Sequence, residues 1–208
     1  MRYLKEQIEE KIIIKKSEFI GILYPIETDE DINKAILDAK KRYPKATHYV
    51  TANIRGVNGE YASSNDDGEP SRTAGYPVLE VLMRNNLTDI LCVVIRYFGG
   101  IKLGAGGLIR AYSSSASEVL KHATLYEKVM AKKYQITFPY NLIDTIKHLL
   151  ENDCKILEEK YLENVTFTFI FLNNGIEILD DIIHQLISVT ELEAETLHID
   201  INKGSGND

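Results

Sequence analysis

Five glycines stand within nine residues, at Gly99, Gly100, Gly104, Gly106 and Gly107, and three cations, Arg96, Lys102 and Arg110, bracket them. An apolar run, Ile90 to Ile95, leads into the segment, and a helical pattern leaves it. Glycine lets backbone approach a ligand closely, and a helix start turns unpaired N–H groups and a positive dipole end toward anions. Those residue types in that order fit a cradle for phosphate, on a nucleotide, a nucleic-acid backbone or a small metabolite. The spacing is not that of a Walker loop, because Ala105 follows Gly99-x4-Gly104 where lysine is required. Nor is it a dinucleotide fingerprint, which would need glycine at Ile109. The plain alternative is a tight strand-to-helix turn, but so many glycines beside three cations favour an anion site.

A second group runs from Ser63 to Thr73 and places Asp66, Asp67 and Glu69 in four residues, with Arg72 close behind. Three carboxylates could hold a divalent cation through oxygen ligands or act as acid and base. Asp, Asn, Gly and Pro are also turn residues, and acids before a helix suit its dipole, so the structural role ranks first. A metal bridging these acids to a phosphate on the glycine loop is the sharper alternative. His48, on an expected strand, joins the three acids as a catalytic candidate. His122, His148, His184 and His198 form no pair at zinc spacing, so no metal centre is expected. No nucleophile-elbow sequence occurs, and no cofactor is called for.

The elements that must position these groups follow from periodicity. Residues 11–16 and 18–26 read as strands around Ser17. Thr28 caps a helix that Pro44 ends, and residues 46–54 form a strand. Residues 56–69 form a polar loop, and Pro77 falls in the first turn of the next helix. Residues 89–98 form a central strand covered on both faces. A helix from 104 to 122 buries Leu108, Tyr112, Ala116, Val119 and Leu120. The pattern then restarts as strand 134–138, helix 141–151, strands 155–161 and 165–172, helix 175–189 and strand 195–201. That order is βαββαβ, the ferredoxin-like plan.

The chain of 208 residues is ordinary in composition, and its formal net charge of −7 is unevenly spread. Through residue 133 there are 20 Lys and Arg against 17 Asp and Glu, a balance of +3; beyond it 4 face 14, a balance of −10. Polyanion binding needs cations, so any RNA or DNA belongs to the first half. No apolar run approaches the roughly 20 residues that span a bilayer, and residues 1–6 lack a signal core. Cys92 and Cys154, unclustered, fit reduced thiols of the cytoplasm.

Asp66-Asp67-Gly68-Glu69-Pro70, Thr73-Ala74-Gly75-x-Pro77 and the run from Val93 through Arg96-Tyr97-Phe98-Gly99-Gly100 to Gly106-Gly107-Leu108 resemble the YigZ/IMPACT family. Ala46-Thr47-His48 is similar to the family's upstream block. The resemblance implies an N-terminal domain with the α/β fold of the second domain of a small-subunit ribosomal protein. It also implies a ferredoxin-like C-terminal domain like one in elongation factor G. Eukaryotic members regulate translation, and bacterial members have been suggested to bind nucleic acid. Two positions depart from the pattern: Arg72 stands where glycine is usual, and Val50 where cysteine is frequent.

The expectation is therefore an α/β (α+β) protein with an IMPACT-type domain over 1–132, a ferredoxin-like domain over 133–204 and a frayed tail over 205–208. It is expected to be cytoplasmic and to bind RNA or a ribosome-associated partner through Arg96, Gly99, Gly100, Lys102, Gly104, Gly106, Gly107 and Arg110, with Arg72 near the same anion. Tyr97, Phe98 or Tyr112 could stack on a base if exposed, with core packing the expected role for Phe98. A second reading is an enzyme acting on a phosphorylated small molecule through Asp66, Asp67 and Glu69. A third is a protein-interaction module whose acidic half docks a basic partner.

Overall fold

The computed structural model describes residues 1–172 and 175–201. The chain divides into two compact units, Met1–Lys128 with residues 199–201, and Val129–His198. The tail expected over 205–208 lies outside the described residues.

The first unit is built on a five-stranded antiparallel sheet. Its strands are β2 (Ile8–Ile14), β3 (Ser17–Pro25), β4 (His48–Arg55), β5 (Tyr61–Asn65) and β6 (Ile90–Tyr97), in the order β2-β3-β6-β4-β5. A short β1 (Arg2–Leu4) pairs elsewhere, with the start of β7 (Leu125–Phe138). The β2–β3 hairpin turns on Lys15 and Lys16, both at positive φ (45° and 67°), as a tight hairpin whose twist matches its strands requires. Ser17, expected at the turn, already belongs to β3.

β6 is central and buried on both faces because its apolar residues alternate between two cores. Leu91, Val93 and Ile95 face Ala35 and Ala39 of helix α1 (Asp29–Arg42). Ile90, Cys92 and Val94 pack with residues of α2 (Gly75–Arg84) and α3 (Ala105–Lys121). α1 starts where the sequence placed it: Thr28 and Asp31 form a reciprocal capping box, and Pro44 follows its last turn. Pro77 sits in the first turn of α2, where its missing N–H costs nothing. The polar loop expected over 56–69 contains β5, an edge strand whose five exposed residues carry no apolar alternation.

In the second unit, β7 pairs with β9 (Val165–Phe171), β9 with β8 (Cys154–Tyr161), and β10 (Ser188–Asp200) with the other side of β7. α4 (Ile143–Leu150) covers the sheet through Ile146 and Leu150. The helix expected over 175–189 is instead two 3-10 turns, Ile176–Leu179 and Ile183–Gln185, and β10 begins at Ser188. Five isoleucines in that stretch are β-branched and weak helix formers. The spacing of Ile176, Leu179 and Ile182 serves a three-residue turn as well as an α-helix, and Leu179 and Ile182 reach the core either way.

Candidate anion-binding site

The site forms where β6 ends and α3 begins. Register sets Arg96 opposite Phe19 of β3 and His48 of β4, one residue pair beyond the apolar core of that face. Arg96, expected among the anion-binding residues, is a buried cation, only 5% exposed. Its Nη1 donates to Oε1 of Glu69, its guanidinium lies over the rings of Phe19 and Phe98, and its Nε is buried with no partner. The same Glu69 oxygen accepts from the Tyr112 hydroxyl at 2.7 Å and lies 3.8 Å from Nε2 of His48. Glu69 Oε2 accepts from none of the described residues, although the side chain is 95% buried by its 5% exposure. Burial, then the bond to Glu69 and its charge, push the Tyr112 phenol far above its ordinary value, so it stays a neutral donor. His48 Nδ1 meets the main-chain oxygen of Asp67 at 2.7 Å; a carbonyl only accepts, so this nitrogen carries a proton.

Of the three carboxylates set out for metal or acid–base work, only Glu69 reaches the glycine loop. Asp66 Oδ1 accepts from the amides of Ala74 and Gly75 at 3.0 and 2.8 Å, and its Oδ2 from Arg72 at 2.8 Å. It thus caps α2, whose own N-cap residue, Ala74, has no side chain able to do so. Asp67 Oδ2 accepts from the Tyr49 amide at 2.6 Å. Among the described residues no group of three or more His, Cys, Asp or Glu side chains has a metal-holding arrangement. Arg72 does not extend to the loop; its guanidinium lies 4.3 Å from the Tyr76 ring centre. Its φ of 60° is a glycine conformation, which accounts for glycine being usual there. Val50 is fully buried in the sheet and offers no chemistry. Burial pushes the Cys92 thiol up to about 12, so it is inert.

The glycine segment is tied down at one end and open at the other. Phe98 N donates to Thr47 Oγ1 and Gly99 N to Ser17 Oγ, both at 3.1 Å. A Cβ on Gly99 would fall 2.1 Å from the Lys16 carbonyl, so this glycine is required by close approach. Gly100 and Gly104 have positive φ (83° and 70°) and open space around them. Gly104 turns the chain into α3 without a side-chain cap, and the amides of Ala105, Gly106 and Gly107 donate to no described group. Gly106 has nothing within 4 Å of an added Cβ, so packing does not require glycine there. Lys102 and Arg110 are exposed and form no ion pair with a described residue. Beside this helix start lies a cavity of about 340 Å³ whose lining includes Glu69, Pro70, Arg96, Phe98, Lys102 and Gly104.

Phe98, expected in the core, is 47% exposed at this cavity, whereas Tyr112 is fully buried and Tyr97 bonds the Pro44 carbonyl. Sequence reasoning missed Thr47 and Ser17 as anchors of the segment, and Tyr112 as a partner of Glu69. Nothing in their local sequence marks them; register across the sheet brings them together.

A family model for the Impact N-terminal domain matches residues 15–120. IMPACT family member YvyE of Bacillus subtilis (strain 168) is 44% identical over 165 residues, covering 79% of this chain and 76% of that protein. IMPACT family member YigZ of Escherichia coli (strain K12) is 34% identical over 151 residues, covering 71% and 74%. The crystal structure of a hypothetical protein is similar over 93% of this chain and 97% of its own, with a TM-score of 0.60 at 29% identity.

Proposed function

Since this chain belongs to the IMPACT family, we propose that it is a translation-linked accessory protein of the cytoplasm that binds RNA, free or in a ribosome-associated partner, at the α3 start. The observation that carries this reading is the open helix start: three amides, at Ala105, Gly106 and Gly107, donate to no described group, with Lys102 and Arg110 exposed on the same segment. Amides and cations of this kind fix phosphates without reading sequence. The acidic second unit, taken as a ferredoxin-like domain with its second helix reduced to turns, is left to contact a partner rather than RNA.

The test is RNA affinity against salt concentration. Each phosphate contact to a single strand contributes about 0.7 to the slope of log K against log salt. Lys102→Ala with Arg110→Ala is expected to weaken binding uniformly across sequences and to flatten that slope by about 1.4. Affinity indifferent to salt, or untouched by the double substitution, would end the proposal.

An enzyme acting on a phosphorylated small molecule is the second reading. It draws on the cavity, where Glu69 meets the helix start. It loses Asp66 and Asp67, whose carboxylates hold main-chain amides.

A further inference from the structure

The cavity has features that a strand of phosphates alone would not use. Phosphate needs donors, and the amides of Ala105 to Gly107 with Lys102 supply them. Yet among the groups that line the cavity, Glu69 Oε2 accepts from no described residue, although the side chain is only 5% exposed. A carboxylate oxygen only accepts. A ligand that satisfies the Glu69 oxygen must carry a donor as well as its anion. The charges of Glu69 and Arg96 cancel, so the acid does not repel a phosphate at the rim. The exposed Phe98 ring, with Pro70 and Leu103, gives the lining an apolar portion.

We infer that this cavity receives one nucleotide unit: phosphate on the α3 start, base against Phe98, and a sugar hydroxyl or base amino group on Glu69. The volume of about 340 Å³ lies near the lower end of small-ligand sites, which fits a single nucleotide rather than a dinucleotide. The source is either a free ribonucleoside monophosphate or one residue of an RNA strand turned out of its stack. This deepens the proposed function, because it rests on the same anion-binding helix start.

The test titrates the full chain by calorimetry with the four ribonucleoside 5′-monophosphates, with inorganic phosphate and with a short single-stranded RNA. Phe98→Ala and Ala105→Glu are compared with the unaltered chain. Both positions are exposed, so a thermal melt can verify that the variants fold. At least one mononucleotide is expected to bind about tenfold more tightly than inorganic phosphate. Phe98→Ala should remove about fivefold or more of that preference, as stacking on one aromatic ring does, and Ala105→Glu should abolish binding. Competition of that mononucleotide with RNA assigns the site to a residue within a strand; binding without any RNA affinity assigns it to the free nucleotide and ends the RNA reading. Mononucleotides binding no better than phosphate, or a preference unmoved in folded Phe98→Ala, would overturn the inference. If RNA binding still depended on Lys102 and Arg110 in that case, the phosphate-face reading would survive alone.

Discussion

Removal of the Asp66 carboxylate would leave three main-chain amides, of Arg72, Ala74 and Gly75, without their acceptor. Asp66→Ala is expected to destabilise the chain by about 3 kcal/mol, since hydrogen bonds to a charged group are worth more than neutral ones and two of the three stranded donors are partly buried. Urea denaturation checks this through the transition midpoint. Tyr112 gives a pH dependence of known sign. Its phenol is raised above the ordinary value of 10.0, so the folded state holds the proton that the unfolded chain releases. That contribution is complete below pH 10 and is lost as pH rises beyond it. Stability should decline more steeply above pH 10 in the unaltered chain than in Tyr112→Phe, followed by urea midpoints at each pH. The residue types of the site were legible in the sequence; their pairing was not. Adjacent acids look alike on the page, and only the fold directs Asp66 to amides and Glu69 to Arg96.

At the scale of elements, the glycines of the β6–α3 connection divide by what surrounds them. Gly99→Ala would drive a methyl into the Lys16 main chain and is expected to cost several kcal/mol or prevent folding. Gly106→Ala meets open space in the first turn of α3 and is expected to stabilise by up to about 0.5 kcal/mol, less than in a helix interior. Thermal unfolding of the two variants decides whether the contrast holds. A gain at Gly106 would mean that glycine is kept there at the expense of stability, as a close-approaching ligand requires. Element positions came largely from periodicity and caps: Thr28, Pro44 and Pro77 bound their helices as expected. What failed was short or ambiguous. β5 has no apolar alternation to announce it, and the stretch from Ile176 to Ile187 satisfies two periods at once.

For the whole molecule, Val129–His198 packs its own core around Phe138, Phe167 and Phe169. The sequence could not reveal that the chain comes back. Asp200 bonds Lys5, and the Ile201 amide donates to Leu125, so the end of β10 rejoins the first unit. The second unit is consequently an excursion rooted at both ends instead of an appendage on one stem. A single proteolytic cut inside it leaves each new fragment with one end in the body that carries the glycine loop, the later one through Asp200 and the Ile201 amide.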